Sequence, residues 1–299
     1  MGKVMVIDVG RCTGCLSCII ACKDEFVGND WSPYSKPQPE YGHFWIRVDR
    51  VERGSTPKVK VTYIPQPCMH CDNPPCLKAC PAGAIKKRDD GIVLIEPEKC
   101  NGCRGMPTRL CMDACPYNAI YFNDNLKIAQ KCTMCAHLLD NPEWKYGPRC
   151  YDACPLPEVI FFGEESDPKM KELISKAETL KPELNTKPRI YYINMPKPFI
   201  TGCIIDPEEK EVIIGAKVTA INLITGEKHE TETDEFGDFW IKELKWNNPY
   251  LIKIEKEGYE EKILGVYKTE KDINIGDIFL KKPNKNPNPP TSNQTSPLS

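Results

Sequence analysis

Short stretches in which apolar and polar residues alternate are the main pattern in the first half of the chain. Residues 3–9 (Lys-Val-Met-Val-Ile-Asp-Val) predict a strand. Apolar segments within 84–95 and 119–129 flank turn-forming residues, Asp89-Asp90-Gly91 in the first and Asn123-Asp124-Asn125 in the second. Paired apolar segments around such turns predict two β-hairpins.

A long insertion, 23–67, holds two segments with strand-like alternation, 43–51 and 58–63. Further along, residues 156–198 form a transition segment. Ser166-Asp167-Pro168 predicts the capped start of a helix over 169–180, because proline is favoured in the first helical turn.

Residues 186–192 then predict a strand that returns to the first part of the chain. From residue 199 onward, six short β segments follow at intervals of about ten residues, a spacing typical of a small β-sandwich over 199–282. These segments are Ile200–Ile205, Ala216–Leu223, Phe239–Leu244, Tyr250–Glu255, Glu261–Tyr267 and Ile273–Leu280. The Pro/Asn/Ser-rich residues 283–299 predict a disordered tail.

The length of 299 residues suggests about two domains, and the formal net charge of −2 gives no nucleic-acid footprint. The N-terminus does not resemble a signal peptide, and no apolar run has the ~18–20 residues needed to span a bilayer. We therefore expect a cytoplasmic protein without a membrane span, with co-export beside a twin-arginine partner left open.

Cysteine spacing gives the strongest chemical signal. Sixteen of the 17 cysteines form four runs, each opening with Cys-x-x-Cys and closing with Cys-x-x-x-Cys. Run one is Cys12, Cys15, Cys18 and Cys22, run two Cys68, Cys71, Cys76 and Cys80, run three Cys100, Cys103, Cys111 and Cys115, and run four Cys132, Cys135, Cys150 and Cys154. In bacterial ferredoxins the first three cysteines of such a run bind one cluster and the fourth binds its neighbour. The runs predict four [4Fe–4S] clusters.

The order of the runs predicts how they pair. A single hairpin joins runs two and three, so they are expected to form one two-cluster unit, which leaves runs one and four for the other. If each fourth cysteine crosses over, four ligand sets follow. They are Cys12, Cys15, Cys18 and Cys154 for cluster 1, Cys22, Cys132, Cys135 and Cys150 for cluster 2, Cys68, Cys71, Cys76 and Cys115 for cluster 3, and Cys80, Cys100, Cys103 and Cys111 for cluster 4.

Residues near the runs have other candidate roles. Zinc would leave the three-cysteine runs and the closing Cys-Pro pairs unexplained. His70 and His137 each follow a cysteine by two residues, and we expect them to donate hydrogen bonds near cluster sulfurs. Cys203, outside the runs, is predicted to be a small buried apolar residue. Six basic residues near the cysteines are candidates for balancing cluster charge: Arg11, Lys23, Lys78, Arg104, Lys131 and Arg149.

The four runs, with Cys-Met-His-Cys at 68–71 and Lys-Cys-Thr-Met-Cys-Ala-His at 131–137, resemble the iron–sulfur electron-transfer subunits of the dimethyl-sulfoxide-reductase superfamily. The resemblance covers residues 1–198 and is strongest to the transhydroxylase branch. It implies a catalytic partner subunit carrying molybdenum or tungsten on two pterins. Turn and core positions such as Thr233–Phe239 make the C-terminal part similar to transthyretin-like or carboxypeptidase-regulatory-like domains.

Together these features predict an α+β fold: a tandem bacterial-ferredoxin-like four-cluster domain over 1–198, followed by a small transthyretin-like β-sandwich. No catalytic motif is present, so we expect no catalysis by the chain alone. The favoured function is electron relay to or from the molybdenum or tungsten bis-pterin subunit, with exchange to an external acceptor or donor. Cys103 stands where nitrate-reductase relatives have tryptophan, which favours a full cubane and electron export. The alternative is a polyferredoxin-type carrier in another complex, such as a hydrogenase or dehydrogenase.

Overall fold

A computed structural model describes residues 2–283, which form two compact units. The first comprises Met1–Glu52 and Val61–Pro196, and the second comprises Arg53–Lys60 and the residues from Lys197 onward. The predicted disorder of 283–299 falls, from residue 284 on, outside the described residues.

The first unit is built from short strands and short helices. In chain order they are β1 (Lys3–Asp8), α1 (Ser17–Phe26), β2 (Ile46–Ser55), β3 (Lys58–Pro67), α2 (Pro75–Ala79), β4 (Ile85–Lys87), β5 (Val93–Ile95), α3 (Leu110–Asp113), β6 (Ile120–Asn123), β7 (Ile128–Lys131), α4 (Ala136–Leu139), α5 (Arg149–Asp152), β8 (Ile160–Glu164), α6 (Pro168–Ser175) and β9 (Ile190–Ile193). β2 and β3 pair as a hairpin whose tip, 53–60, groups with the second unit. None of the helices within residues 2–283 has the length and apolar character to cross a bilayer.

The predicted strand at the N-terminus and both predicted hairpins are confirmed. β4 pairs with β5 and β6 with β7, each antiparallel. β1 is the central strand of a three-stranded sheet, antiparallel to β8 and parallel to β9. Its alternation divides two cores: Met5 and Ile7 face the main core, while Val4 and Val6 pack against Met170 of α6. β8 was not predicted, since it lies within the segment treated as a transition.

α6 is shorter than predicted. It begins at Pro168 as expected but ends at Ser175, because the backbone of Glu178 pairs with Tyr192 of the returning strand instead of continuing the helix. The predicted side-chain cap is also absent. The Asp167 carboxylate accepts a hydrogen bond from the Glu164 amide at 3.1 Å, on the strand side of the turn.

Each cysteine run carries a short helix. α1 holds Cys18 and Cys22, α2 holds Cys76, α3 holds Cys111, and α5 holds Cys150. Within the first unit α1 packs on α5, and α2 packs on α3. The helices of runs one and four are therefore neighbours, and so are those of runs two and three.

The second unit consists of two sheets over one apolar core. Its strands are β10 (Ile200–Ile205), β11 (Lys217–Asn222), β12 (Lys228–Glu232), β13 (Asp238–Ile241), β14 (Pro249–Glu255), β15 (Lys262–Lys268) and β16 (Ile273–Phe279). One sheet has the order β13-β10-β16 and the other β12-β11-β14-β15. β12 was missed because Lys-His-Glu-Thr-Glu is an all-polar edge strand.

Two ion pairs tie the hairpin tip into the second unit. The Arg53 guanidinium donates to both oxygens of Asp272 at 2.6 and 2.9 Å, and the two side chains are only 10% and 4% exposed. Lys58 pairs with Asp238. Sequence patterning did not indicate this grouping, because it depends on contacts distant in the chain. The prediction for Cys203 was wrong: its side chain is partly exposed, with Sγ 3.5 Å from the Phe236 carbonyl oxygen.

Candidate iron–sulfur sites

The opening Cys-x-x-Cys loops of the four runs share one backbone conformation. The residue before the second cysteine has a positive φ in every run: 69° at Gly14, 43° at His70, 62° at Gly102 and 55° at Met134. This left-handed conformation costs most residues other than glycine about 1–2 kcal/mol. It closes the loop tightly: in run four the Met134 amide donates to Cys132 Sγ at 3.3 Å.

The first site is a cavity of about 350 Å³, including its opening to solvent. Its lining contains four cysteines: Cys12, Cys15, Cys18 and Cys154. Three belong to run one and the last to run four. Cys15 is exposed, and beside it on the same surface α1 and the residue preceding it expose two apolar side chains, Leu16 at 44% and Ile20 at 66%.

The second site is a cavity of about 370 Å³ among buried apolar residues. Its cysteines are Cys22, Cys132, Cys135 and Cys150. The Arg149 amide lies 3.5 Å from Cys135 Sγ as a hydrogen-bond donor. Apolar walls from Met5, Phe26 and Ile190 enclose this site. Run one therefore contributes a cysteine here just as run four contributes one to the first site.

The third site brings together Cys68, Cys71, Cys76 and Cys115. Burial first, and then the nearby thiolates of Cys68, Cys76 and Cys115, raise the pKa of Cys71 to about 12. The same two causes, burial and the nearby Cys68, raise the pKa of Cys115. Cys115 comes from run three and the other three from run two.

The fourth site is a cavity of about 360 Å³, including its opening. It is lined by Cys80, Cys100, Cys103 and Cys111. The Ala129 amide of β7 donates to Cys100 Sγ at 3.3 Å. The Arg109 guanidinium lies 4.2 Å from the centre of the Phe122 ring, and both side chains line the cavity.

The chemistry of these sites suits [4Fe–4S] clusters. At the first, second and fourth sites the thiols line cavities, and within residues 2–283 no three His, Cys, Asp or Glu side chains converge closely enough for a single ion. Burial is the main cause that raises the pKa of Cys18 and Cys111 to about 12, and that of Cys132 to about 11. Thiolates in such surroundings need positive charge to be stable, which bound iron supplies. Amide N–H groups directed at cysteine sulfur are a further feature of cluster loops.

A cysteine of one site lies close to a cysteine of the neighbouring site in three cases. Behind burial and the thiols of its own site, Cys18 of the first site also raises the pKa of Cys150 in the second. After burial, Cys68 of the third site is the next cause that raises the pKa of Cys132 in the second. Behind burial and the thiols of its own site, Cys111 of the fourth site also has its pKa raised by Cys76 of the third. These pairs bring the first site near the second, the second near the third, and the third near the fourth.

Only Lys131, among the six basic residues proposed to balance cluster charge, is buried between two sites. It is 2% exposed, and its ammonium donates to the carbonyl oxygens of Val93 and Cys132, the latter at 2.9 Å. No carboxylate within residues 2–283 pairs with it. Its charge lowers the pKa values of Cys76 and Cys115 in the third site and of Cys132 in the second, opposing the effect of burial.

None of the other five basic residues is buried, although the positive charge of Arg149 opposes the effect of burial on the pKa of Cys135. Arg11 pairs with Glu158, and Arg149 pairs with Glu25 and Asp152. Lys23 donates to the backbone carbonyls of Pro39 and Gly42, and Lys78 donates to the side chain of Asn73. Arg104 is exposed.

The two histidines predicted to serve the clusters differ. His137 stacks on Trp31, with ring centres 4.4 Å apart, and its Nε2 lies 2.9 Å from the Glu25 carboxylate. It does not line any of the three site cavities described above. His70 does line the cavity of the second site. Sequence spacing made the two histidines look equivalent, and only the packing separates them.

Comparison with known families identifies the two units. A 4Fe-4S dicluster domain family matches residues 11–84, and a second 4Fe-4S dicluster domain family matches 59–165. A carboxypeptidase regulatory-like domain family matches 200–277. The chain thus consists of tandem dicluster domains followed by a carboxypeptidase-regulatory-like β-sandwich.

Similar proteins extend over most of the chain. The pyrogallol hydroxytransferase small subunit of Pelobacter acidigallici is 38% identical, covering 92% of this chain and 98% of that subunit. The chain belongs to the iron–sulfur electron-transfer subunits of the dimethyl-sulfoxide-reductase superfamily. One sulfite dehydrogenase subunit, from Allochromatium vinosum, is 36% identical over 69% of this chain and 87% of its own length. One tetrathionate reductase subunit, from Salmonella typhimurium, is 33% identical over 66% of this chain and 74% of its own length.

Membership in this family confirms two predictions. The cofactors of this subunit are [4Fe–4S] clusters, four in total from two dicluster domains. Its function is electron transfer within a molybdenum-enzyme complex, which favours that prediction over the polyferredoxin alternative.

Proposed function

We propose that this chain is an electron relay built from two two-cluster units. Within each unit, the fourth cysteine of each run binds the cluster held by the other run. The observation that carries the proposal is the position of Cys154, which lines the first site beside Cys12, Cys15 and Cys18, while Cys22 lines the second. When bound, each cluster supplies reversible one-electron transfer without proton transfer. The four groups of cysteines described above are the proposed ligand sets for clusters 1 to 4.

The proposed path runs through the sites in their spatial order. The first and second sites are joined by helix α1, which holds Cys18 and Cys22 one turn apart. The second and third approach through Cys132 and Cys68, and burial of the second site among apolar side chains keeps water from the middle of the path. Excluding water lowers the reorganisation that accompanies each transfer.

The first site is the proposed docking end. Cys15 is exposed, and Leu16 and Ile20 form a small exposed apolar surface next to it. Exposed apolar residues at the edge of a redox site suit contact with a partner protein. We propose that this partner is a catalytic subunit with molybdenum or tungsten on two pterins, as the family relationship favours.

The fourth site is the proposed end for exchange with an external acceptor or donor. All four of its cysteines line one cavity, including Cys103. A complete ligand set at the end farthest from the docking surface supports electron export. The direction of flow and the substrate of the catalytic subunit follow from that subunit.

Anaerobic purification of the native complex tests this function. The proposed function predicts that a large subunit containing molybdenum or tungsten co-purifies with this chain. It also predicts electron paramagnetic resonance (EPR) signals from this chain that appear on reduction with dithionite. A native complex without either metal, or a chain that purifies alone with its clusters fully loaded, would contradict the partner assignment.

A further inference from the structure

His70 has an imidazole whose hydrogen bonding fixes the position of its proton. The side chain is 1% exposed, and Nδ1 accepts a hydrogen bond from the Val93 amide at 3.0 Å. An imidazole nitrogen that accepts a hydrogen bond carries no proton, so the proton of this ring is on Nε2.

The Nε2–H group of His70 has no acceptor among the protein atoms of residues 2–283. A buried donor without a partner is costly, by about 1–3 kcal/mol. The same ring lines the cavity of the second site, together with Cys22, Cys132, Cys135 and Cys150. The unsatisfied donor thus belongs to a residue in the wall of a proposed cluster site.

The backbone of His70 has a left-handed conformation that is unfavourable for residues other than glycine. Its φ is 43°, at the loop position where runs one and three have Gly14 and Gly102. Glycine adopts this conformation without steric cost, whereas histidine does not. Glycine would relieve the backbone but would remove both the acceptor for Val93 and the donor on Nε2.

We propose that His70 Nε2–H donates a hydrogen bond to a sulfur of the cluster held at the second site. His70 lies between Cys68 and Cys71, which belong to the third site, so it connects the loop of one site to the cofactor of another. The inference rests on the proposed function, since it requires a cluster at the second site. His70 is a positioning and tuning residue: no bond is made or broken.

The expected effect is on reduction potential. A hydrogen bond to cluster sulfur stabilises the reduced, more negative form of a cluster and so raises its potential. Loss of the His70 donor should lower the midpoint potential of the second-site cluster and leave the fourth-site cluster, which does not include His70 in its cavity, unchanged.

The decisive comparison uses two substitutions in the native complex. His70→Asn keeps an acceptor near the Nδ1 position for the Val93 amide but loses the donor at the Nε2 position, whereas His70→Gln keeps the donor. The signal of the second-site cluster is identified as the one that Cys22→Ser alters. In a potentiometric EPR titration, the midpoint potential of this signal should be lowered in His70→Asn. In His70→Gln it should return toward the native value. His137→Asn, with Glu25 as that histidine's partner, is the matched control and should not lower this potential.

A second measurement detects the hydrogen bond in the native complex itself and uses His70→Asn only as the control. With 15N-labelled histidine, pulsed EPR of the reduced complex should detect a weak histidine nitrogen coupling on the second-site signal, and the coupling should vanish in His70→Asn. Equal potentials in the native, Asn and Gln proteins, or no histidine coupling in the labelled native protein, would overturn the inference. If Cys22→Ser altered no cluster signal, the ligand assignment itself would fail, which is a separate result.

Discussion

Cys154 and Cys12 line the same cavity, although they belong to the last and the first cysteine runs. Burial first, with neighbouring thiols that include Cys154 adding to it, raises the pKa of Cys12. The packing of α1 on α5 brings the two runs together. Such an exchange makes the two ends of the cluster-binding region depend on each other.

Substitution of Cys154 by serine should therefore damage the first site and spare the second, which holds the other three cysteines of its own run. We expect an altered or lost EPR signal from the cluster on Cys12, Cys15 and Cys18, with a loss of up to about four irons. The signal of the second site should persist, because Cys22 completes that set. Damage confined to the second site would show that run four binds its own cluster.

The third and fourth sites allow the same test with the two cysteines that runs two and three exchange, Cys80 and Cys115. Cys115→Ser should alter the cluster on Cys68, Cys71 and Cys76, whereas Cys80→Ser should alter the cluster on Cys100, Cys103 and Cys111. Because the third site is in the middle of the proposed path, Cys115→Ser should also stop electron transfer to an external acceptor. The metal of the catalytic subunit should remain loaded, as metal analysis of the complex can show. Continued transfer at the native rate would contradict the order of sites.

Gly102 allows a test of the shared loop conformation. Alanine at this position would meet the left-handed φ of 62° and place Cβ against the Lys127 carbonyl oxygen. The backbone term alone costs about 1–2 kcal/mol, and the collision adds to it. We expect Gly102→Ala to reduce iron occupancy at the fourth site.

Gly105→Ala is the matched control for this prediction. Gly105 also has a positive φ, 83°, but nothing lies within 4 Å of the position of the added Cβ. It should therefore retain most of its iron. Equal iron loss in both variants would mean that backbone strain alone, and not the close approach of Lys127, explains the glycine.

Lys131 should raise the potentials of the two middle clusters. Its buried ammonium lies close to cysteines of the second and third sites and has no carboxylate partner among residues 2–283. Lys131→Met should lower both midpoint potentials by roughly 50–100 mV, since about 1.4 kcal/mol of charge interaction corresponds to 59 mV for one electron. Lys86→Met, at an exposed lysine paired with Glu96, should change neither. Unchanged potentials in Lys131→Met would exclude this role.

Local patterns predicted much of the fold. The strand at 3–9 and both hairpins follow from apolar alternation and turn residues, which act over a few positions. The spacing of cysteines within each run is a similarly local pattern, whereas the exchange of cysteines between runs stays a prediction. The edge strand β12 and the end of α6 were missed because they depend on tertiary pairing, Glu178 with Tyr192 in the second case.

The distinction between His70 and His137 also could not be predicted. Both follow a cysteine by two residues, and only the packed structure places Glu25 beside one and Val93 beside the other. Lys131 was one of six basic candidates, and sequence offered no sign that it alone would be buried between two sites. Glycine before the second cysteine, as at Gly14 and Gly102, is the local sequence signal for the shared loop conformation.

The most direct test of the four-cluster relay is a count of iron, sulfide and unpaired spins in the anaerobically purified complex. Four clusters would give about sixteen irons and about sixteen sulfides attributable to this chain, with four separately reducible clusters in a potentiometric EPR titration. Zinc in place of iron, or about half of this iron with two reducible clusters, would contradict the four-cluster relay.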